Sequence, residues 1–318
     1  MDKLNVAPEF RSLWDGLWAG VPMLWADDST GASDWMPLTT YGAPGIEARM
    51  WGEDQWAKVV TPFGAGFEYV GGSVDEGIRI GPDSAAGEHA SYLNLKGDVP
   101  NTAAVLFKWD GTTGDQRAIL SQLNSGDGAN SLRVRLSNVA SPANVVNQTN
   151  TVFPAGVQAG RWYMYVQRAE SDFALDNQHD HLLYDYTDLT FLHDVPASGA
   201  GRFGFENAIH VGSQPVNDPA TGVTFAGAWF WERRLGGIAA DTTTREIEGE
   251  LATFLADPFG MFRFYPEATS APPPILQYIY PDGDVLGLGW DSAPTGGQPL
   301  YQQIDETTLD LADYIFEE

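Results

Sequence analysis

The chain has 318 residues, 43% of them hydrophobic and 12% aromatic, which is enough apolar surface for a sizeable core and excludes a wholly disordered protein. Lys+Arg number 17 against 43 Asp+Glu, a net charge of −26; such a field repels nucleic-acid phosphates and anionic lipid, so neither nucleic acid nor membrane is an expected partner. Cysteine is absent, which excludes disulfides, thiolate catalysis and Cys-type zinc sites.

The opening MDKLNVAPEF lacks the basic-then-apolar pattern of a signal peptide. No run approaches the roughly 18 apolar residues of a membrane span. A soluble protein made in the cytoplasm is therefore expected. Residues 1–60 are rich in tryptophan: Trp14, Trp18, Trp25, Trp35, Trp51 and Trp56. Trp14 and Trp18 are four apart, as on one side of a short helix that Pro22 would end.

From Phe67 onward the pattern turns to short strands bounded by turn residues. The stretches 67–70, 77–80, 91–95 and 103–109 are strand-like, and Asp110-Gly111 supplies a reversal. Residues 117–122 and 131–136 predict a hairpin. Its second arm alternates Leu132, Val134 and Leu136 with Arg133 and Arg135, as a half-buried strand does. The strongest strand signal is 161–167, and 181–186, 189–192, 208–211 and 223–231 continue the series. One helix follows: Thr243 and Glu246 form a capping box, while Ile247, Leu251, Phe254 and Leu255 share a face. Asp257-Pro258 ends it. Residues 268–274 form a Pro-rich linker, and no Lys or Arg occurs after Arg263.

These signals predict an all-β fold, a jelly-roll β-sandwich over 61–267 with one short C-terminal helix. A Trp-rich N-terminal segment, 1–60, is expected as a docking or assembly part. An acidic C-terminal arm or truncated β module is expected over 275–318.

Three stretches carry a family resemblance. They are Gln158-Ala-Gly-Arg-Trp-Tyr-Met-Tyr-Val, then Ile209-His-Val-Gly212 with Phe225-Ala-Gly-Ala-Trp-Phe-Trp231, then Arg233-Arg-Leu235 with the helical segment. In this order they resemble the LamG-like branch of the concanavalin A-like lectin/glucanase superfamily. Asp257-Pro-Phe-Gly-Met-Phe-Arg263 resembles the close of LamG-like structural proteins in tailed bacteriophages. The segment from Tyr280 through Trp290 to Ile315 resembles the opening of a β module of phage structural proteins, which normally runs further than Glu318.

The superfamily includes glycosidases, and retaining hydrolysis needs two carboxyls about 5–5.5 Å apart. The active pattern is Glu-x-Asp-x-Glu, and the nearest stretch here, Glu170-Ser-Asp172-Phe-Ala174, has alanine in place of the third acid. No catalytic residue is expected. His179 and His181, near Asp176, have zinc-binding chemistry but no evident third ligand. Two oxygen-rich loops offer candidate calcium ligands, Asp27, Asp28 and Asp34 in one and Asp127 and Asn130 in the other. Neither fits the EF-hand pattern, and acidic turns are ordinarily just solvated. Trp109, Trp162, Trp229 and Trp231 lie in strand-like runs and are expected in the core. Trp14, Trp18 and Trp25 are free of that pattern and suit a sugar platform or a protein interface. With Tyr280, Trp290, Tyr301 and Tyr314 of the acidic segment they make up the expected interface set.

The resemblance implies a non-enzymatic bacteriophage virion structural protein: a capsid decoration, head spike or tail component that displays a lectin-like domain and aids adsorption to host-surface glycan. Its partners would be other virion proteins, further copies of itself and that glycan. Calcium is the one cofactor to consider. The alternative is a free carbohydrate-binding lectin or carbohydrate-binding module; a glycoside hydrolase is the third reading.

Overall fold

Three strands are buried along nearly their whole length: Asn101–Trp109, Trp162–Ala169 and Val223–Trp231. Such strands need cover on both faces of their sheet, because side chains alternate between the faces. The computed structural model of the protein supplies that cover. The structure describes residues 6–23, 35–51, 56–70, 77–82, 100–112, 117–122, 132–137, 143–147, 150–169, 179–194, 209–213, 221–236, 247–263, 278–279 and 285–286.

Two antiparallel sheets pack face to face as an all-β jelly-roll sandwich with a short C-terminal helix, the fold expected from the sequence. The nine-stranded sheet runs Thr190–Asp194, His179–Asp185, Trp162–Ala169, Asn101–Trp109, Val223–Trp231, Leu17–Val21, Tyr41–Gly42, with Gly64–Tyr69 and Trp56–Thr61 branching from Val223–Trp231. The eight-stranded sheet runs Asn150–Val157, Ala143–Asn147, Leu132–Ser137, Arg117–Gln122, Ile209–Val211, Ile78–Pro82, Ile46–Trp51, Trp35–Leu38. Between them, Val105, Phe107, Tyr165, Phe225 and Phe230 of the first sheet meet Ile78, Ile80, Leu120, Val134 and Val145 of the second.

The outer face of the nine-stranded sheet carries a second core. Leu106, Met164, Val166, Trp229 and Trp231 point outward there and are covered by Leu13, Leu251, Phe254, Met261 and Phe262. The covering residues come from the 3-10 turn Pro8–Trp14, the helix Gly249–Ala256 and the 3-10 turn Gly260–Phe262. Phe254 meets the rings of Trp229 and Trp231 edge-on, with centroids 5.2 and 5.1 Å away. Arg233 ties the layers together: its guanidinium donates to both carboxylate oxygens of Glu250, at 2.7 and 2.9 Å, and to the Ser12 carbonyl at 2.6 Å.

Two expectations are corrected. The boundary at residue 60 does not hold, because the described part of 1–60 supplies strands to both sheets. Leu17–Val21 lies against Val223–Trp231, with Gly20 opposite Trp229, and Trp35–Leu38 pairs with Ile46–Trp51 in the other sheet. The physical reason is edge coverage: the apolar strand Val223–Trp231 needs a partner for its second edge, and the N-terminal strand is apolar enough to serve. The helix begins at Gly249 rather than at residue 243, and Glu248 at its N-cap is extended. Leu251, Phe254 and Leu255 are its buried face as expected, whereas Thr243 and Glu246 lie outside the described residues. So do the strand expected at 91–95 and the linker at 268–274. Of residues 264–318, the described part is a two-stranded antiparallel pair, Tyr278–Ile279 with Val285–Leu286.

Close contact between cover and sheet uses glycine. A Cβ on Gly20 would lie 2.4 Å from the Phe262 ring, so the ring rests directly on the strand backbone. Gly20→Ala should displace Phe262 and lower stability by about 1–3 kcal/mol, the usual cost of overpacking. Urea denaturation checks this; an unchanged midpoint would mean that the ring does not pack there.

Candidate functional site

Most of the sequence-predicted site residues lie outside the described residues. This holds for Trp25, the calcium candidates Asp27, Asp28, Asp34, Asp127 and Asn130, and the interface candidates Tyr280, Trp290, Tyr301 and Tyr314. It also holds for Glu170, Asp172 and Asp176. Two interface candidates are described, and both are corrected. Trp18 is 3% exposed within the sandwich core, edge-on to Phe230. Trp14 is half-buried against Tyr41 and Phe262, and its Nε1 donates to the Met261 carbonyl at 2.8 Å. Each ring is spent on the fold, because the N-terminal strand and turn are structural parts of it. Trp109, Trp162, Trp229 and Trp231 are core residues, as their strand positions imply.

The His179-Asp180-His181 stretch forms a strand, which sends Asp180 and His181 to opposite faces. His181 points between the sheets, its Nδ1 2.7 Å from the Tyr165 hydroxyl. Asp180 points the other way, into a charged cluster under the cover. Arg168 Nε donates to its Oδ1 at 2.9 Å and Arg168 Nη2 donates to its Oδ2; His193 Nε2 donates to Oδ2 at 2.7 Å, and Arg234 Nη2 stands 3.5 Å away. Arg168, Asp180 and His193 have side chains 2%, 5% and 5% exposed. Burial pushes the Asp180 carboxyl up, but the hydrogen bonds from His193 and Arg168 and the charges of Arg168 and Arg234 outweigh it. The net result lies far below the usual carboxylate range. Arg168 Nη1 also donates to the Leu235 carbonyl at 2.8 Å. The cluster therefore clamps the segment after Val223–Trp231 onto the sheet. Among the described residues, no group of three or more His, Cys, Asp or Glu is arranged to hold a metal ion.

The outer face of the eight-stranded sheet is chemically different. Antiparallel partners point to the same face, and the register aligns Arg49 with Arg79, Arg79 with His210, and His210 with Ser121. Their chain neighbours Ala48, Met50, Ile78, Ile80, Ile209, Val211 and Leu120 fill the inner core, so this row faces outward. Arg133 holds the next register position, opposite Ser121, and Arg135 follows on the same strand. At about 4.8 Å per strand the row from Arg49 to Arg133 spans roughly 19 Å. Arg49 Nη2 lies 2.7 Å from Glu47 Oε2, while His210 is 4% exposed. Arg79 and Arg135 are half-buried. Sequence reasoning saw the alternation around Arg133 and Arg135 but not the row, because register across distant strands is invisible in one chain's text.

No family model matches the chain, and no curated protein matches it. Solved structures do. Trypanosoma rangeli sialidase matches at 14% identity and TM-score 0.41, over 70% of this chain and 31% of that one. The botulinum neurotoxin serotype D binding domain matches at 9% identity and TM-score 0.41, over 70% of this chain and 49% of that one. A second structure, described as a receptor binding domain, matches at 11% identity and TM-score 0.41, over 72% and 50%. The chain thus spans about a third of the sialidase and about half of the two binding domains. The expectation that the chain is not an enzyme is corrected by this finding, because the matched structures include sialidases, and the exclusion of enzymatic activity is withdrawn. At these identities and TM-scores the likeness carries no argument about what this chain does; the β-sandwich rests on the chain's own two sheets.

Proposed function

We propose that the chain is a structural protein of a tailed-bacteriophage particle whose β-sandwich presents a carbohydrate-binding face. One observation carries the binding part of this reading. The segments at both ends of the described sandwich, Pro8–Trp14 and Gly249–Phe262, seal the outer face of the nine-stranded sheet. On the outer face of the eight-stranded sheet polar and cationic side chains stand in register, with Arg49 and Arg79 half-buried and His210 and Ser121 buried, so the part of that face open to a ligand is the end at Arg49 and Arg79. A binding sheet face needs few polar groups held rigidly by a packed core, and this one has two cores behind it.

The particle role is supported by the sequence resemblance of Asp257–Arg263 to the close of phage LamG-like proteins. In the fold this stretch is part of the seal, and Arg263 Nη1 closes it on Asp257 Oδ2 at 2.5 Å. Other virion proteins, further copies of the chain and a host-surface glycan are the proposed partners, and calcium is a cofactor to be tested by its addition and chelation. Capsid and tail positions are both compatible with this reading. A free carbohydrate-binding lectin is the second reading, favoured by the same sheet face.

Quantitative mass spectrometry of purified particles, scaled to the major capsid protein, separates the two. A copy number near that of the capsid protein would place the chain as decoration or head spike, and a handful per particle would place it at the tail. Absence from particles would overturn the particle role and leave the free lectin.

A further inference from the structure

We propose that the chain pairs with a second copy of itself along the outer edge of the strand Thr190–Asp194. This names a surface for one proposed partner, further copies of the chain, and rests on no other part of the reading above. The first argument is how the sandwich treats its edges. An edge strand leaves N–H and C=O groups open to another strand, and proteins blunt such edges with proline, lysine, a bulge or brevity. Among the described residues the sandwich has five edge strands. Trp35–Leu38 holds Pro37, Asn150–Val157 holds Pro154 with Ala155 at φ 53°, Trp56–Thr61 holds an exposed Lys58, and Tyr41–Gly42 is two residues long. Thr190–Asp194 has no proline or lysine, and its register with His179–Asp185 runs without a bulge.

The second argument is what this edge exposes. Four large apolar side chains among the described residues are exposed, and two of them are here: Leu192 at 48% and Leu189 at 69%. Phe191 packs on the second core and His193 reaches Asp180, so one face of the strand is taken by the fold. Leu192 shares the other face with Leu183 and stays half in water. Leu189, directly before the strand, is held at φ 52°, in the left-handed region where glycine or asparagine is usual. A strained backbone that holds an apolar side chain in water costs the isolated fold twice, and such outliers mark functional positions.

The third argument selects the occupant. A twofold axis at Leu192 sets Thr190 against Asp194 of the second copy, Phe191 against His193, and Leu192 against its own copy. No acid then opposes an acid within the strand, and the exposed leucines cover each other. Main-chain hydrogen bonds supply the rest of the pairing, as when a strand is added to a sheet edge. Isologous contact of this kind closes at two copies. Each copy carries −26, so association is opposed by a repulsion that salt screens.

Sedimentation velocity of the full chain over a concentration series, at low and physiological salt, tests this. A monomer–dimer equilibrium is expected. It should tighten as NaCl rises from about 0.01 to about 0.15 M, where the Debye length falls from about 30 to about 8 Å. Leu192→Lys puts a charge on the edge and should weaken the dimer about tenfold or more, with the melting temperature of the monomer unchanged. Leu189→Gly should weaken it too without lowering that melting temperature, because glycine takes the left-handed backbone without strain. Val60→Lys, on the edge that Lys58 already guards, should dimerise as the parent does. Should Leu192→Lys misfold, Leu189→Gly decides. A chain that stays monomeric overturns the proposal and leaves the edge to a strand of another protein. A dimer undiminished by both variants, one that loosens as salt rises, or an assembly larger than two also overturns it. None of these outcomes touches the carbohydrate-binding or particle readings, which their own experiments decide.

Discussion

Replacing Asp180 with alanine is expected to lower the unfolding free energy by about 3–5 kcal/mol, the range for breaking a buried ion pair by removing one partner. The loss is large because Arg168, 2% exposed, would keep its charge with no carboxylate beside it, and His193 would lose the acceptor of its Nε2 proton. Chemical denaturation at pH 7 measures this, and a loss below about 1 kcal/mol would mean the cluster relaxes into water. The pH dependence follows from the depressed Asp180 pKa. A depressed carboxylate contributes stability that is fully present above its unfolded pKa, near 3.9, and is lost as the pH falls through its folded value. Asp180→Asn removes that titration. The variant should be less stable than the parent at pH 7, and the gap should narrow between about pH 4 and pH 2. Parallel stability curves over that interval would show that the Asp180 carboxyl titrates alike in folded and unfolded chains.

The second large effect is expected at Phe254. Its side chain is fully buried between the cover and the sheet, edge-on to both Trp229 and Trp231. Phe254→Ala removes those contacts and leaves a cavity, for about 3–5 kcal/mol. Because two tryptophans line the gap, their fluorescence should shift to the red as water enters. A variant with parental stability and unshifted emission would mean that the helix Gly249–Ala256 is a dispensable cover rather than half of a core.

The sandwich was legible because strands with one wet face alternate, and strands with two dry faces run apolar without a break. Leu132–Ser137 is the first kind, with Val134 and Leu136 inward and Arg135 outward. Val223–Trp231 is the second kind, and its continuous burial was the sign that a further layer must cover the sheet. That layer was not inferred. Its pieces are short, a seven-residue 3-10 turn and an eight-residue helix, with too few turns to leave a periodic pattern. The tryptophans of 1–60 were assigned to docking on the same omission: with no second core to fill, Trp14 and Trp18 had no evident place in the fold. His179-Asp180-His181 shows the opposite limit. His179 and His181 share ligand chemistry, yet His181 meets the Tyr165 hydroxyl inside the sandwich, and Asp180, facing the other way, takes partners Arg168 and His193 from neighbouring strands. The Arg49–Arg79–His210 row needed the pairing of three strands, with Arg49 and His210 161 positions apart (210 − 49), which no local pattern encodes.

The position of Leu17–Val21 has a consequence for how the protein is made. Its only long partner, Val223–Trp231, leaves the ribosome more than two hundred residues later, since Leu17 pairs with Trp231. At 5–20 residues per second that is a wait on the order of 10–40 s, during which the apolar strand has only the two-residue strand Tyr41–Gly42 to join. Leu13, whose carbonyl accepts from Trp231 Nε1 at 2.7 Å, waits as long. The strand Leu17–Val21 is thus among the last to be fully seated. A nascent chain halted before residue 223 would hold Trp18 and Leu17 open to other chains.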